Sequence, residues 1–170
     1  MGIGTELRYQ STYESPLGAM TLASDGQHLR GLWFVGQKHY PRDALTAAAR
    51  CDDVPVFQHV VAWLDDYFAG RNPTTRGIAL AASGTAFQRA VWDCLSAIPY
   101  GTTTTYGAIA RAVGCGSPRA VGVAIGRNPL SIIVPCHRVI AADGSLTGYA
   151  GGLARKRSLL QREQTTGRSA

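Results

Sequence analysis

The hydrophobic pattern of this 170-residue chain changes character part-way along, at a stretch (residues 71–84) punctuated by Pro73, Gly77 and Gly84. Before it, residues 7–13, 20–23 and 29–35 are short runs rich in Leu, Tyr, Trp and Thr, separated by Ser15-Pro16-Leu17-Gly18 and by Asp25-Gly26. Short runs of this kind between turn residues read as strands, and Asp-Gly between two of them favours a hairpin. Residues 56–68 then bring Val56, Val60, Leu64 and Tyr67 onto one stripe, with Phe57, Val61 and Phe68 alongside. That is the spacing of an amphipathic helix, which Gly70 is placed to end. Residues 71–84 read as a strand fragment inside a linker.

After the break the pattern is helical. Thr85-Ala86-Phe87-Gln88 fits a capping box, and Phe87, Val91, Trp92, Leu95 and Ile98 follow at helical spacing until Pro99 and Gly101, so this helix is expected in the core. A second helix over 105–113 ends at Gly114, and a third runs from Pro118, capped by Ser117, to about Arg127. Two short helices joined by a tight glycine-containing turn outline a helix-turn-helix. A last helix is expected over 153–164. The fold class is therefore an α/β N-terminal domain, residues 1–84, followed by a mainly α-helical C-terminal domain, residues 85–170, with a helix-turn-helix. A length of 170 residues suits one large domain or two small ones.

Charge follows the same division. Of the net +6, residues 1–84 hold seven basic against eight acidic side chains, and residues 85–170 hold ten basic against three acidic. The excess lies wholly in the second half, and fifteen of the seventeen cations are Arg, the side chain suited to forked phosphate contacts and to stacking on bases. A polyanion is the first partner to consider, with a solvated basic surface as the alternative. A composition 45% apolar and 16% charged excludes a disordered tail. No apolar run approaches the roughly 18 residues of a membrane span, and the first residues lack the pattern of a signal peptide. The expected compartment is the cytoplasm, at the nucleoid in a bacterium, with no membrane partner.

The third helix of this half has an unusual surface. Val121, Ala124 and Ile125 can face a core, leaving Arg119, Gly122, Val123, Gly126 and Arg127 on the other side. That face has few long polar side chains to read base edges, which suits close approach to a nucleic-acid backbone or minor groove with little sequence preference. Tight helix-on-helix packing also favours small residues and stays open as the alternative.

The four cysteines (Cys51, Cys94, Cys115, Cys136) form no C-x-x-C pair and the four histidines are scattered, so neither a metal nor a disulfide framework is expected. Cys136 stands apart. Residues 131–134 read as a short buried strand stopped by Pro135, and Cys136 is followed by His137 and Arg138; basic neighbours raise a thiol's thiolate fraction. In a regular strand His137 would point away from Cys136, so a link between them needs a turn or a bridging water. A third group would orient the imidazole, and among Asp93, Asp143 and Glu163 the last is the best placed; its alternative is a solvated residue beside Arg and Lys side chains.

The run Val134-Pro135-Cys136-His137-Arg138-Val139, preceded by Arg119-Ala120-Val121-Gly122 and Arg127-Asn128-Pro129, resembles the active-site signature of the O6-alkylguanine-DNA alkyltransferases. The likeness extends through Phe87-Gln88, Ile98-Pro99-Tyr100-Gly101, Thr105-Tyr106, Gly148-Tyr149-Ala150-Gly151-Gly152 and Lys156, covering residues 85–163, and more loosely through Ser15-Pro16-Leu17-Gly18. The resemblance implies a ribonuclease-H-like supporting domain at the N-terminus and a suicidal repair protein with no cofactor. Such a protein moves the alkyl group of O6-alkylguanine, and in some cases O4-alkylthymine, in double-stranded DNA irreversibly onto Cys136. It implies a monomer, one that could assemble cooperatively on DNA.

By the same resemblance, a water, His137 and Glu163 would relay the proton of Cys136, Tyr106 would protonate the departing guanine, and Asn128 would brace the active-site loop. The carbonyls of Cys136 and Val139, with Tyr149, Ala150, Gly151 and Lys156, would form the substrate pocket. Arg119 would fill the gap left by the flipped nucleotide, and Thr105, Ala120, Gly122, Gly126 and Arg127 would lie against DNA. Ala150 stands where some members have Ser, Ser158 where bacterial relatives often have Trp, and the zinc ligands of some N-terminal domains are not reproduced. A non-catalytic sensor of alkylated DNA would share the helix-turn-helix and Arg119, and Cys136 discriminates against it. A cysteine hydrolase would need an oxyanion hole that the sequence does not mark.

Overall fold

In a computed structural model, which describes residues 7–167, the chain is divided into two units, Met1–Ser83 and Gly84–Ala170. The ends of the two expected domains, 1–6 and 168–170, lie outside the described residues.

The first unit is built on a four-stranded sheet of β1 (Tyr9–Ser15), β2 (Gly18–Ser24), β3 (Leu29–Phe34) and β4 (Ala49–Arg50), in the order β3-β2-β1-β4. Strands β1 (Tyr9–Ser15) and β2 (Gly18–Ser24) pair antiparallel with Ser15 opposite Gly18, which takes the turn at φ 113°. Strand β3 (Leu29–Phe34) pairs antiparallel with β2 across the Asp25-Gly26 turn. The helix expected over 56–68 is α2 (Pro55–Phe68), which packs on β1 and β2 and buries Val56, Phe57, Val60, Leu64 and Tyr67. Met20, Leu22, Leu32 and Phe34 share one face of the sheet by strand alternation, and Ala23 and Trp33 the other. There Ala23 and Trp33 join Leu7, Leu45 and Ala48 in a second apolar cluster. Both faces of β2 are thus covered, and Met20 to Ser24 are buried without a break.

Two elements carry no periodic signal in the sequence: α1 (Arg42–Thr46), a helix without a side-chain cap, and β4 (Ala49–Arg50), which pairs parallel to β1. They are too short for a repeat to show. The stretch 71–84 is more than a linker. Leu80 bridges Leu29 in parallel, with Leu29 N donating to Ala79 O at 2.7 Å and Ala81 N to Leu29 O at 3.0 Å, and Trp63 Nε1 donates to Pro73 O at 3.1 Å.

In the second unit, α3 (Ala86–Ser96) starts from the expected capping box, with Gln88 N donating to Thr85 Oγ1 and Thr85 N to Gln88 Oε1. Burial on α3 begins at Val91; Phe87, expected in the core, is 37% exposed in the first turn. Trp92 reaches α5 (Pro118–Gly126), its indole N–H donating to Ala124 O at 2.9 Å. Ahead of α5 lies α4 (Tyr106–Ala112), capped by Thr105 and followed by Gly114 at φ 67°. Helix α5 is capped by Ser117 with Pro118 at its start, and buries Val121, Ala124 and Ile125 as its pattern requires.

Residues 131–134 correct the sequence reading. They are buried, but they form a tight turn instead of a strand: Ile132 sits at φ 70° and Ser131 bridges Val134. Asn128 dictates this, since its Oδ1 accepts from Leu130 N and its Nδ2 donates to Val134 O, both at 2.9 Å, closing the loop on itself. Cys136–Arg138 is a single 3-10 turn, leading into β6 (Val139–Ile140), which pairs parallel with β5 (Thr104–Thr105). Helix α6 (Leu153–Gly167) closes the unit, running past the expected end at 164. No described helix is long and apolar enough to cross a membrane.

In the first unit, the Trp33 indole lies directly over Gly31, where a Cβ would fall 1.7 Å from a ring atom. The Gly31→Ala variant is therefore expected to lose about 1–3 kcal/mol through displaced packing, read as a lowered urea midpoint with an unchanged slope.

Candidate active site

Cys136 enters the site from a rigid approach. The Asn128-held loop ends at Pro135, and the 3-10 turn then fans successive side chains round its axis instead of alternating them, so Cys136 and His137 are not forced to opposite sides. Cys136 is 5% exposed. Burial pushes its pKa up, while a hydrogen bond from Asn128, the charge of Lys156 and backbone N–H groups work the other way. The cation acting on the thiol is thus Lys156 on α6. Arg138, the expected neighbour, has its guanidinium committed elsewhere.

His137 is fully buried, and its Nε2 meets Glu163 Oε1 at 2.6 Å. Burial holds its pKa down, reinforced by Arg138 and Lys156 and opposed by Glu163. The ring is therefore neutral near pH 7. With Nε2–H donating to the carboxylate, Nδ1 carries the lone pair; it is buried and has no hydrogen-bond partner among the described residues.

Glu163 is fully buried too. Arg138 forks onto it, Nε to Oε2 at 2.8 Å and NH2 to Oε1 at 3.0 Å, and Gly101 N donates to Oε2 at 3.3 Å. Burial alone would raise this carboxyl, but hydrogen bonds and charge from His137 and Arg138 bring it down to about 2. Arg138 also donates NH1 to Ile98 O at 2.7 Å and lies 5.5 Å over the Tyr100 ring.

A second group of donors holds the loop before α6. Lys156, fully buried, donates Nζ to Val139 O at 2.5 Å, Thr147 O at 2.8 Å and Gly148 O at 3.3 Å, and stands 5.9 Å over the Tyr106 ring. Burial lowers its pKa to about 8. The Tyr106 hydroxyl donates to the same Thr147 O at 2.8 Å. Tyr149 buries its hydroxyl with no hydrogen-bond partner among the described residues, and burial keeps that phenol protonated. Gly151 O accepts from Arg155 at 3.0 Å, and Ala150 is half-buried.

The structure thus gathers Cys136, His137, Glu163, Asn128, Val139 and Lys156, with Tyr106 and Tyr149 at the loop that Lys156 grips. Arg119, Ala120 and Arg127 are exposed on the outer side of α5, with Gly122 and Gly126 partly so and Val123 61% exposed. That face is not remote from the loop, because a Cβ at Gly122 would touch the Tyr106 ring at 3.8 Å. The Thr105 hydroxyl is engaged in capping α4. Sequence reasoning gave no role to Tyr100 and Gly101 and assigned Arg138 only to the thiol. The signal lay in the quoted run Ile98-Pro99-Tyr100-Gly101, whose meaning depends on which turn of the fold it meets. No cluster of three or more His, Cys, Asp or Glu able to hold a metal is present among the described residues.

Residues 86–165 match the family described as 6-O-methylguanine DNA methyltransferase, DNA binding domain, and residues 8–82 match its ribonuclease-like domain. The chain belongs to this methyltransferase family. Its similarity to the methylated-DNA–protein-cysteine methyltransferase of Mycobacterium tuberculosis is 46% identity over 155 residues, covering 91% of both chains. The protein of that name from Haemophilus influenzae is 41% identical, over 92% of this chain and 86% of its own. Among solved structures, that of Mycobacterium tuberculosis OGT in complex with DNA superposes with a TM-score of 0.82 at 44% identity, covering 93% of this chain and 94% of that one. The α/β first unit and helical second unit are thus the two domains of this family.

Because Glu163 is held at about 2 in the fold and titrates near its ordinary 4.5 when unfolded, it stabilises the protein fully above about pH 4.5. That contribution is lost as pH falls towards 2. The Tm of the wild type should consequently fall more steeply between about pH 5 and pH 3 than that of Glu163→Gln; parallel curves would contradict the buried ion pair.

Proposed function

We propose that this protein repairs DNA stoichiometrically, taking the alkyl group from O6-alkylguanine in duplex DNA onto Cys136. The observation that carries the reading is the buried His137–Glu163 pair, 2.6 Å apart, with His137 on the same 3-10 turn as the buried Cys136, in a unit whose helix α5 exposes Arg and glycine.

The chemistry follows from the groups. A water between the thiol and His137 Nδ1 passes the Cys136 proton to the imidazole, and Glu163 stabilises the imidazolium that results. The thiolate attacks the alkyl carbon in line; the S–C bond forms as the C–O6 bond breaks, and its electron pair leaves with guanine. Tyr106 exchanges its Thr147 acceptor for the base and supplies the proton that guanine needs, and both it and His137 re-equilibrate with solvent. The product is a thioether with no leaving route, so one protein is consumed per lesion.

Asn128 braces the loop while donating towards the sulfur. The carbonyls of Cys136 and Val139 accept the exocyclic amine, and Tyr149, Ala150, Gly151 and Lys156 close the pocket. Reaching the lesion requires flipping the nucleotide at a cost of about a few kcal/mol, part of which Arg119 offsets by entering the stack. Thr105, Ala120, Gly122, Gly126 and Arg127 lie along the backbone and minor groove. A face without base-edge readers suits damage that arises beside any neighbour. The protein acts as a monomer at each lesion, on the DNA of the cytoplasmic compartment.

Intact-protein mass after incubation with a duplex carrying one O6-methylguanine should show a single methyl replacing one hydrogen, mapped to Cys136, with no turnover. Lesion-selective binding without that gain would make the protein a sensor. Cys136→Ala should abolish transfer yet bind DNA within about a few-fold of wild type. Arg119→Ala should slow transfer from duplex more than transfer from the free modified base, and an equal loss on both would remove the wedge role.

A further inference from the structure

The buried carboxylate has two suitors, and the relay uses only one. Glu163 Oε1 accepts both from His137 Nε2 at 2.6 Å and from Arg138 NH2 at 3.0 Å, while Oε2 takes Arg138 Nε at 2.8 Å. Arg138 is itself fixed on three sides, by that fork, by Ile98 O at 2.7 Å and by the Tyr100 ring beneath it. An Arg needed merely to fill the space would not require its planar head to be matched to both carboxylate oxygens.

We propose that Arg138 is a positioning residue of the relay: its fork fixes the Glu163 carboxylate as the acceptor for His137 Nε2, and its buried charge opposes protonation of the ring until Cys136 gives up its proton. The inference rests on the alkyl-transfer reading.

A balance of charges sets the protonation of the ring. A lone buried carboxylate 2.6 Å from an imidazole would favour imidazolium strongly, because charge pairs are poorly screened in a dry interior. An imidazole already protonated cannot accept the thiol proton. Arg138 offsets the carboxylate's negative charge with its own and keeps it an ionised acceptor for Nε2–H, leaving Nδ1 unprotonated. The charged groups acting on the ring are Arg138 on its own turn, with Glu163 and Lys156 from α6; Cys136 shares the turn, and Tyr149, from the preceding loop, lies in the field of Cys136, Arg155 and Glu163. Of these, the two cations oppose ring protonation and Glu163 alone favours it.

The test compares wild type, Arg138→Gln and Arg138→Lys in two measurements. The first is the pH profile of methyl transfer from an O6-methylguanine duplex. The acid limb of Arg138→Gln should move to higher pH by about half a unit or more, and Arg138→Lys, which keeps the charge without the fork, should recover part of the displacement. A loss of rate by the same factor at every pH, or a limb moved to lower pH, overturns the proposal, since a packing role alone would do the former. The second follows the His137 imidazole by NMR in the unreacted proteins, where its titration should rise in Arg138→Gln. Should neither variant fold, the wild type still decides: His137 titrating above the ordinary histidine value of 6.5 would overturn the proposal. A wild type that takes up no methyl group would defeat the repair reading, while the imidazole titration, which uses no substrate, would still judge Arg138.

Discussion

The second unit is organised around one buried negative charge. Withdrawing a carboxylate from water costs several kcal/mol per ion unless it is met by well-aligned donors, and Glu163 is met by His137, by both arms of Arg138 and by the Gly101 amide. Those donors come from the 3-10 turn and from the chain after α3, whereas the carboxylate comes from α6. A single anion therefore ties together the three segments that frame the cysteine. The same contacts fix the tautomer of the imidazole, so the interaction that holds the site also leaves Nδ1 with its lone pair unengaged among the described residues.

Around that charge, irregular backbone is held by side chains. A buried loop leaves N–H and C=O groups that no ladder satisfies, and here Asn128 serves the 130–134 turn while Lys156 serves the carbonyls of Val139, Thr147 and Gly148. Ile132 at φ 70° is a costly conformation for a β-branched residue, of order 1–3 kcal/mol, tolerated because the surrounding loop leaves it no alternative. Trp92 adds a fixed point at the end of α5 by donating to Ala124 O. The thiol thus follows a loop held by the side chain of Asn128.

The two units divide the work as their charge suggests. The sheet of the first is covered on both faces. The basic excess, the exposed face of α5 and the buried relay all belong to the second. Chemistry on a base and contact with a polyanion place opposite demands on a surface, one dry and one wet. Here the dry relay lies on the 3-10 turn and α6, and the exposed arginines lie on and beside α5.

How much of this was legible depends on whether the signal is local. Period and punctuation sufficed for the sheet-then-helix order, for the capping box at Thr85 and for the buried face of α5, because each is decided by residues within a turn or a hairpin of one another. Cys136 stood out for its neighbours, and the resemblance named its companions. Local reading failed at α1 and β4, too short to repeat, at Phe87, whose exposure depends on what covers it, and at 131–134, where an apolar run mimics a strand until Asn128 bends it. The sequence by itself determined the longer elements and the charge division, and it singled out the candidate reacting groups. Only the tertiary structure decided that Lys156 faces the thiol while Arg138 faces Glu163, because adjacency along a chain says nothing about direction, and in a dry interior direction decides which charges are felt.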